Sequence, residues 1–437
     1  MYKKTIFKNG LRIITAPLKN TEAITILVLV GAGSEYETKE ISGISHFLEH
    51  MLFKGTKKRS DTVKIVEPLD RIGGIYNAFT SKECTGYWAK VDSKHLDVAL
   101  DWVSDIYLNS KFDEKEIEKE KGVIVEEINM DMDTPMDYVS ELWQKLLYGD
   151  QPVGWPIVGE KKIITKLKRK DFLDYQKNHY SSKNTVICAA GNIEQESLLK
   201  KIKKYFKTIN TVPLKPKLKV IDAAAPSALF PSEIDKIKKQ EQPQSLIYFK
   251  KTDQTHFCLG ARGYNLFHPQ KYAQDILSVI LGGMMSSRLW TLVREKKGLA
   301  YYIHTESENA TDTGYLVTSA GVNTERAGDA IKIILKEYKK ISQKKVPETE
   351  LQKAKDNIKG KMALSLESSN SQASFCGMQE LLEKKILLPK EIYAEIDKIT
   401  SNDILKAAKD IFQSKNLNLA LLGPHKNVKF SKTQLKL

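Results

Sequence analysis

Two histidines four residues apart, with a glutamate just before the second, are the residues of this chain whose types and spacing could do chemistry: His46-Phe47-Leu48-Glu49-His50. On a helix each residue advances about 100°, so His46, Glu49, His50 and Phe53 share a face, while Ile44, Phe47, Leu48, Met51 and Leu52 form an apolar one. Two imidazoles one turn apart can reach one metal ion, and the intervening carboxylate must then stand beside it. The order is the inverse of the H-E-x-x-H zinc pattern. It suits hydrolysis, in which a metal polarises a carbonyl and acidifies a water while the Glu moves the proton.

Such a site needs a third protein ligand on another rigid element. The spacing predicts an acidic helix from Asp113, its N-cap, to about Met132, with Ile117, Ile124, Val125 and Ile128 available for packing. Glu120 and Glu127 lie two turns apart on one face of it, and Glu126 is turned about 100° away. Geometry leaves both Glu126 and Glu127 open as the ligand.

The elements that must position these groups follow from periodicity. Strands are expected at Leu11 to Ala16 and Thr25 to Gly31, then the motif helix, a helix at Val63 to Ile72, and a hairpin from Ile75 to Val91 after Gly73-Gly74. Helices at His95 to Leu108, Asp113 to Met132 and Asp171 to His179 precede a strand at Thr185 to Ala190. A stretch rich in Lys, Pro, Ala and Ser, 212–244, reads as a linker.

The second half repeats this order, from a strand at Phe257 to Gly263 through a helix at Ala273 to Gly282 and a strand pair within Gly298 to Val322. Helices at Ala327 to Ile341 and Pro347 to Ser365 and a closing strand at Asn418 to Gly423 complete it, with no second His-x-x-Glu-His. The expected fold class is therefore α+β, two homologous domains, each a mainly antiparallel sheet packed with helices. The metal-binding domain is expected at 1–211 and its homologue without the metal motif at 245–437.

Composition narrows the partners. The formal net charge is +15, but the Lys are spread among Glu and Asp, and the densest runs, such as Lys200 to Lys207, read as solvated helix faces or linkers. No nucleic-acid site is expected, and an acidic peptide or partner stays open. Cys84, Cys188, Cys258 and Cys376 are far apart in sequence, which argues against a disulfide scaffold and a thiolate zinc site and for a reducing compartment. Asn9, Gly10 and Arg12 interrupt any apolar signal segment, and no run approaches the roughly 18 residues of a membrane span. A soluble, cytoplasmic protein is the expectation.

The sequence resembles the pitrilysin-type metallopeptidases, in particular the branch containing mitochondrial processing peptidase and its bacterial relatives. The family follows its His-x-x-Glu-His by a Glu 77 positions after the second His, and Glu120-Lys121-Gly122-Val123-Ile124-Val125-Glu126-Glu127 fits that context. The resemblance extends to Gly73-Gly74-Ile75-Tyr76-Asn77-Ala78-Phe79-Thr80, similar to the family's edge strand beside zinc. It also covers Ser286-Ser287-Arg288-Leu289 and Arg294-Glu295-Lys296-Lys297-Gly298-Leu299-Ala300-Tyr301.

It implies one Zn²⁺ per chain on His46, His50 and Glu127, with Glu49 as general base and Glu120 as a supporting carboxylate. It further implies an extended peptide substrate added to the Asn77, Ala78, Phe79 edge, with Arg294 and Tyr301 of the second domain against it and Tyr301 donating to the developing oxyanion. Members of this length work as two-chain assemblies, so a homodimer, or a heterodimer with a homologous chain, is expected. The rivals to a zinc endopeptidase of unstructured peptides are a non-catalytic structural or partner subunit and a maturation protease dedicated to one precursor. Loss of a zinc ligand or the base would favour the former, and none is lost here.

Overall fold

A computed structural model of the chain describes residues 2–211, 240–426 and 435–437. In chain order its strands are β1 (Lys3–Ile6), β2 (Arg12–Pro17), β3 (Ala23–Val30), β4 (Ile75–Thr80), β5 (Thr85–Asp92), β6 (Thr185–Gly191), β7 (Gln244–Phe249), β8 (Gln254–Arg262), β9 (Ala300–Asn309), β10 (Gly314–Asn323) and β11 (Asn418–Gly423). The helices are α1 (Ile44–Met51), α2 (Thr62–Asp70), α3 (Leu96–Asn109), α4 (Glu114–Asp133), α5 (Pro135–Tyr148), α6 (Lys161–Ile164), α7 (Arg169–His179) and α8 (Gln195–Tyr205). They continue with α9 (Lys271–Leu281), α10 (Ala327–Gln343), α11 (Glu348–Ser365), α12 (Ser369–Leu382), α13 (Pro389–Lys398) and α14 (Ser401–Ile411).

The first compact unit holds a six-stranded sheet in the order β1-β2-β6-β3-β5-β4, with β2 and β6 parallel and the other pairs antiparallel. Its central strands are apolar but for one threonine each, AITILVLV in β3 and TVICAAG in β6, because both faces are covered. Leu27 and Leu29 of β3 pack with Ala373, Cys376 and Leu381 of α12, whose Ser369 hydroxyl meets that of Thr25 at 2.8 Å. Ile26 and Val28 are buried on the opposite face. Arg12 of β2 ties α12 down by donating to the carbonyl of Glu380 at 3.0 Å and to its carboxylate at 3.2 Å.

The second unit holds a five-stranded sheet, β7-β11-β8-β10-β9, with β7 and β11 parallel. Matching β7, β11, β8, β10 and β9 to β2, β6, β3, β5 and β4 gives the same order and the same parallel pair, so the internal repeat is a repeat of topology. Val139, Leu142, Trp143 and Leu147 of α5 pack on Cys258, Val317, Ala420 and Leu422 of this sheet.

The two units do not follow the chain division at 211 and 245. Residues 130–154, with α5, belong to the second unit, and 363–388, with α12, to the first. Each sheet is thus covered by a helix from the other half of the sequence. The linker expected at 212–244 lies outside the described residues up to 239, and Gln244 already opens β7. All four cysteines are buried and free. Among the described residues no helix is long and apolar enough to cross a membrane.

The loop after α1 is clamped to α3. Arg59 reaches Asp105 at 2.5 Å and Asp101 at 2.6 Å, and Thr56 donates to Asp105 at 2.7 Å. Burial pushes the Asp101 carboxyl up, but Lys58 and Arg59 outweigh it and hold it below its ordinary value. Removing one partner of a buried pair strands the other, so Arg59→Met should cost about 3 kcal/mol of unfolding free energy in a denaturant titration. Asp101 contributes stability above its unfolded value of about 3.9 and loses it as the pH falls, so the gap between wild type and variant should narrow in acid.

Candidate metal centre

The motif helix begins at a position only glycine fits. Gly43 has φ +94°, and a Cβ there would meet the backbone of Val158 and Gly159 at 2.8 Å. The buried Glu37 carboxylate accepts from the N–H of Gly43 at 2.6 Å and of Ser45 at 2.8 Å, supplying the cap that Gly43 lacks. Ile44, Phe47, Leu48 and Met51 are buried, which fixes the rotation of α1 and turns His46, Glu49 and His50 the other way. The apolar and polar faces expected from the spacing are both present.

One ligand atom from each of His46, His50 and Glu127 lies within 4.8 Å of the other two. His46 Nε2 is 3.5 Å from Glu127 Oε1 and His50 Nε2 is 3.6 Å from Oε2. Ligands about 2.0–2.1 Å from a tetrahedral ion stand roughly 3.4 Å apart, so the donors fit zinc with an open position left over. His46 holds the Glu127 carboxyl below its usual range. Glu126 is exposed. Of the two glutamates that helical geometry left open, Glu127 is the one beside the histidines.

Glu120 is buried one layer out. Its Oε1 is 2.9 Å from His50 Nδ1 and its Oε2 2.7 Å from Lys54 Nζ. Burial pushes its carboxyl up, and the bonds to His50 and Lys54 bring it below its ordinary value. An ionised Glu120 keeps the proton on His50 Nδ1 and leaves Nε2 free for a metal. Lys54 was not singled out in the sequence; it lies in the turn after α1 and reaches across to Glu120 of α4. Lys54→Met should weaken zinc binding by about tenfold in a chelator competition, within the range for losing an outer partner.

Glu49 is half-buried and accepts the Thr80 hydroxyl at 2.5 Å on Oε2. Burial raises its carboxyl above the usual value, opposed by Thr80 and the two histidines. Thr80 ends β4, the last strand of its sheet, whose outer edge meets no strand among the described residues. Asn77, Ala78 and Phe79 lie on that edge strand.

In the second unit, Arg294 sits on a π-helical segment, Trp290–Lys296. Its guanidinium lies 4.3 Å from the centre of the Trp290 ring and 5.7 Å from that of Tyr301, which is 75% exposed. The two residues expected against substrate are therefore neighbours. Trp290, which walls the Arg, is an addition that the sequence reading missed.

Comparison with known proteins gives the geometry a family. Residues 12–161 match the model described as Insulinase (Peptidase family M16), and 166–358 the Peptidase M16 inactive domain. An uncharacterized zinc protease of Bacillus subtilis is 36% identical over 98% of this chain and 100% of its own length. The chain belongs to the M16 peptidase family. A second M16 relative, an uncharacterized zinc protease of Streptomyces coelicolor, is 31% identical over 98% of this chain and 91% of its own. The M16 fold is shared with the crystal structure of a protease from Helicobacter pylori, at TM-score 0.88 and 24% identity over 97% and 99% of the two chains. It is also shared with a chain of complex III from Candida albicans, at TM-score 0.82 and 19% identity over the full length of both. The stretch matched by the inactive-domain model, 166–358, contains no His-x-x-Glu-His.

Proposed function

We propose that this M16 protein is a zinc-dependent endopeptidase that cuts extended or unstructured peptides, binding one zinc per chain on His46, His50 and Glu127. The observation that carries the reading is the convergence of these three donors with a separately anchored fourth group, Glu49, on the helix that bears the two histidines. Zinc held there supplies Lewis acidity to a scissile carbonyl and a nearby water.

The chain's own residues do the rest. Glu49 takes the proton of the attacking water and returns it to the leaving amine. Glu120, held by Lys54, fixes the His50 tautomer. A peptide adds as a strand to the free edge of β4 at Asn77, Ala78 and Phe79, so that its backbone supplies affinity with little demand on sequence. Arg294 binds the peptide backbone or a carboxylate, and Tyr301 donates to the carbonyl oxygen as charge develops on it. The protein works as a dimer with itself or with a homologous chain. The free, buried cysteines support a reducing compartment, the cytoplasm. A non-catalytic subunit would have no use for all three donors together with the base.

The purified protein should hydrolyse a mixed pool of short unstructured peptides, lose this activity to a chelator and regain it with added zinc. A zinc-loaded protein that leaves the whole pool intact would refute the general endopeptidase and leave a single dedicated substrate.

A further inference from the structure

The side chains of β4 alternate, so Tyr76, Ala78 and Thr80 share one face while Phe79 points to the other, into the cluster with α12. On the first face the Tyr76 ring packs on Trp102 at 5.5 Å, and Phe53, just after α1, packs on the same Trp at 5.9 Å. Tyr76 thereby seats β4 beside the motif helix. Thr80, two pleats on, meets Glu49 across that seam.

The bond is short for a hydroxyl on a carboxylate, 2.5 Å, at the strong end of charge-assisted geometry. It occupies one carboxylate oxygen, Oε2. An unrestrained Glu49, with His46 and His50 on either side, has imidazoles to swing towards.

We propose that Thr80 is a positioning residue for the base: its hydroxyl pins Oε2 and leaves Oε1 as the oxygen that accepts the water's proton. The inference rests on the reading of Glu49 as general base. It adds that one rigid element sets two things at once. The strand whose edge gives the peptide its register also orients the base through its last residue, so substrate placement and proton transfer share a common reference.

The test uses the full chain. Thr80→Val keeps the shape and removes the donor, Thr80→Ser keeps the donor, and Thr80→Ala controls for the added methyl. With Val and with Ala, kcat should fall about 10–100-fold while KM, zinc content and unfolding temperature stay at wild-type values, and Ser should return to within about threefold. A readout independent of turnover comes from the zinc-free protein with ¹³C-labelled Glu side chains. The Glu49 carboxyl resonance, assigned by its loss in Glu49→Gln, should move in Thr80→Val and return in Thr80→Ser. An unmoved resonance overturns the proposal. So does wild-type kcat in Thr80→Val beside an inactive Glu49→Gln, or a loss of kcat that tracks zinc content or KM. Full activity in Glu49→Gln instead overturns the assignment of the base itself, which is a different result.

Discussion

Glu49→Gln should bind zinc with the wild-type stoichiometry and turn peptides over at least about a hundredfold more slowly, the lower end of what a positioned acid–base group contributes. The substitution preserves volume and leaves the apolar face of α1 untouched, since Phe47, Leu48 and Met51 carry the packing. It also preserves an acceptor for Thr80, because the amide oxygen can accept the hydroxyl's hydrogen bond as Oε2 does. What it removes is the capacity to take a proton. Metal analysis beside kcat separates this from collapse of the site, and an active Glu49→Gln with normal zinc would sink the assignment.

The second large effect lies at the third ligand and is sharpened by its neighbour. Glu127→Gln should lose zinc, with an affinity drop well beyond the about 10–100-fold expected for an outer-shell partner, and with it all hydrolysis. Glu126→Gln should do neither. The two side chains are adjacent in sequence and alike in charge, so the pair controls for net charge and helix propensity. Glu127 faces His46 and His50 at 3.5 and 3.6 Å, while Glu126 is turned to solvent. Equal zinc affinities in the two variants, measured by chelator competition, would contradict the donor set.

How much of this was legible in the chain varies with the range of the interaction. The motif helix, its two faces and the strands flanking it were readable because a buried face repeats at the period of its element, and β3 and β6 are buried on both sides. Glu127 could have been chosen by the same logic. Ile117, Ile124 and Ile128 define the buried side of α4, and Glu126 falls about 180° from their centre while Glu127 falls about 80° from it. The Lys54 contact was not in reach, since it joins the turn after α1 to Glu120 on α4. Thr80 was not, because its bond to Glu49 depends on how β4 docks against α1, 31 residues away in the chain. Nor was the exchange of α5 and α12. Neither is among the helices expected from periodicity, and even an apolar stripe does not say which of two similar sheets a helix will cover.

That exchange sets a timetable for synthesis. Residues Ile14, Leu27, Leu29, Val186 and Cys188 of the first sheet face α12. They have been synthesised by about residue 190, yet α12 and the rest of 363–388 follow only much later. With ribosomes adding about 5–20 residues per second, the roughly 180 residues between 211 and 388 take about 10–35 s. For that interval the unit bearing the metal ligands has one apolar face of its sheet bare, so the half made first is finished only when the half made second has nearly emerged. Transiently exposed apolar surface of this kind favours aggregation, and a ribosome stalled in the second half would leave the first exposed for as long as the stall lasts.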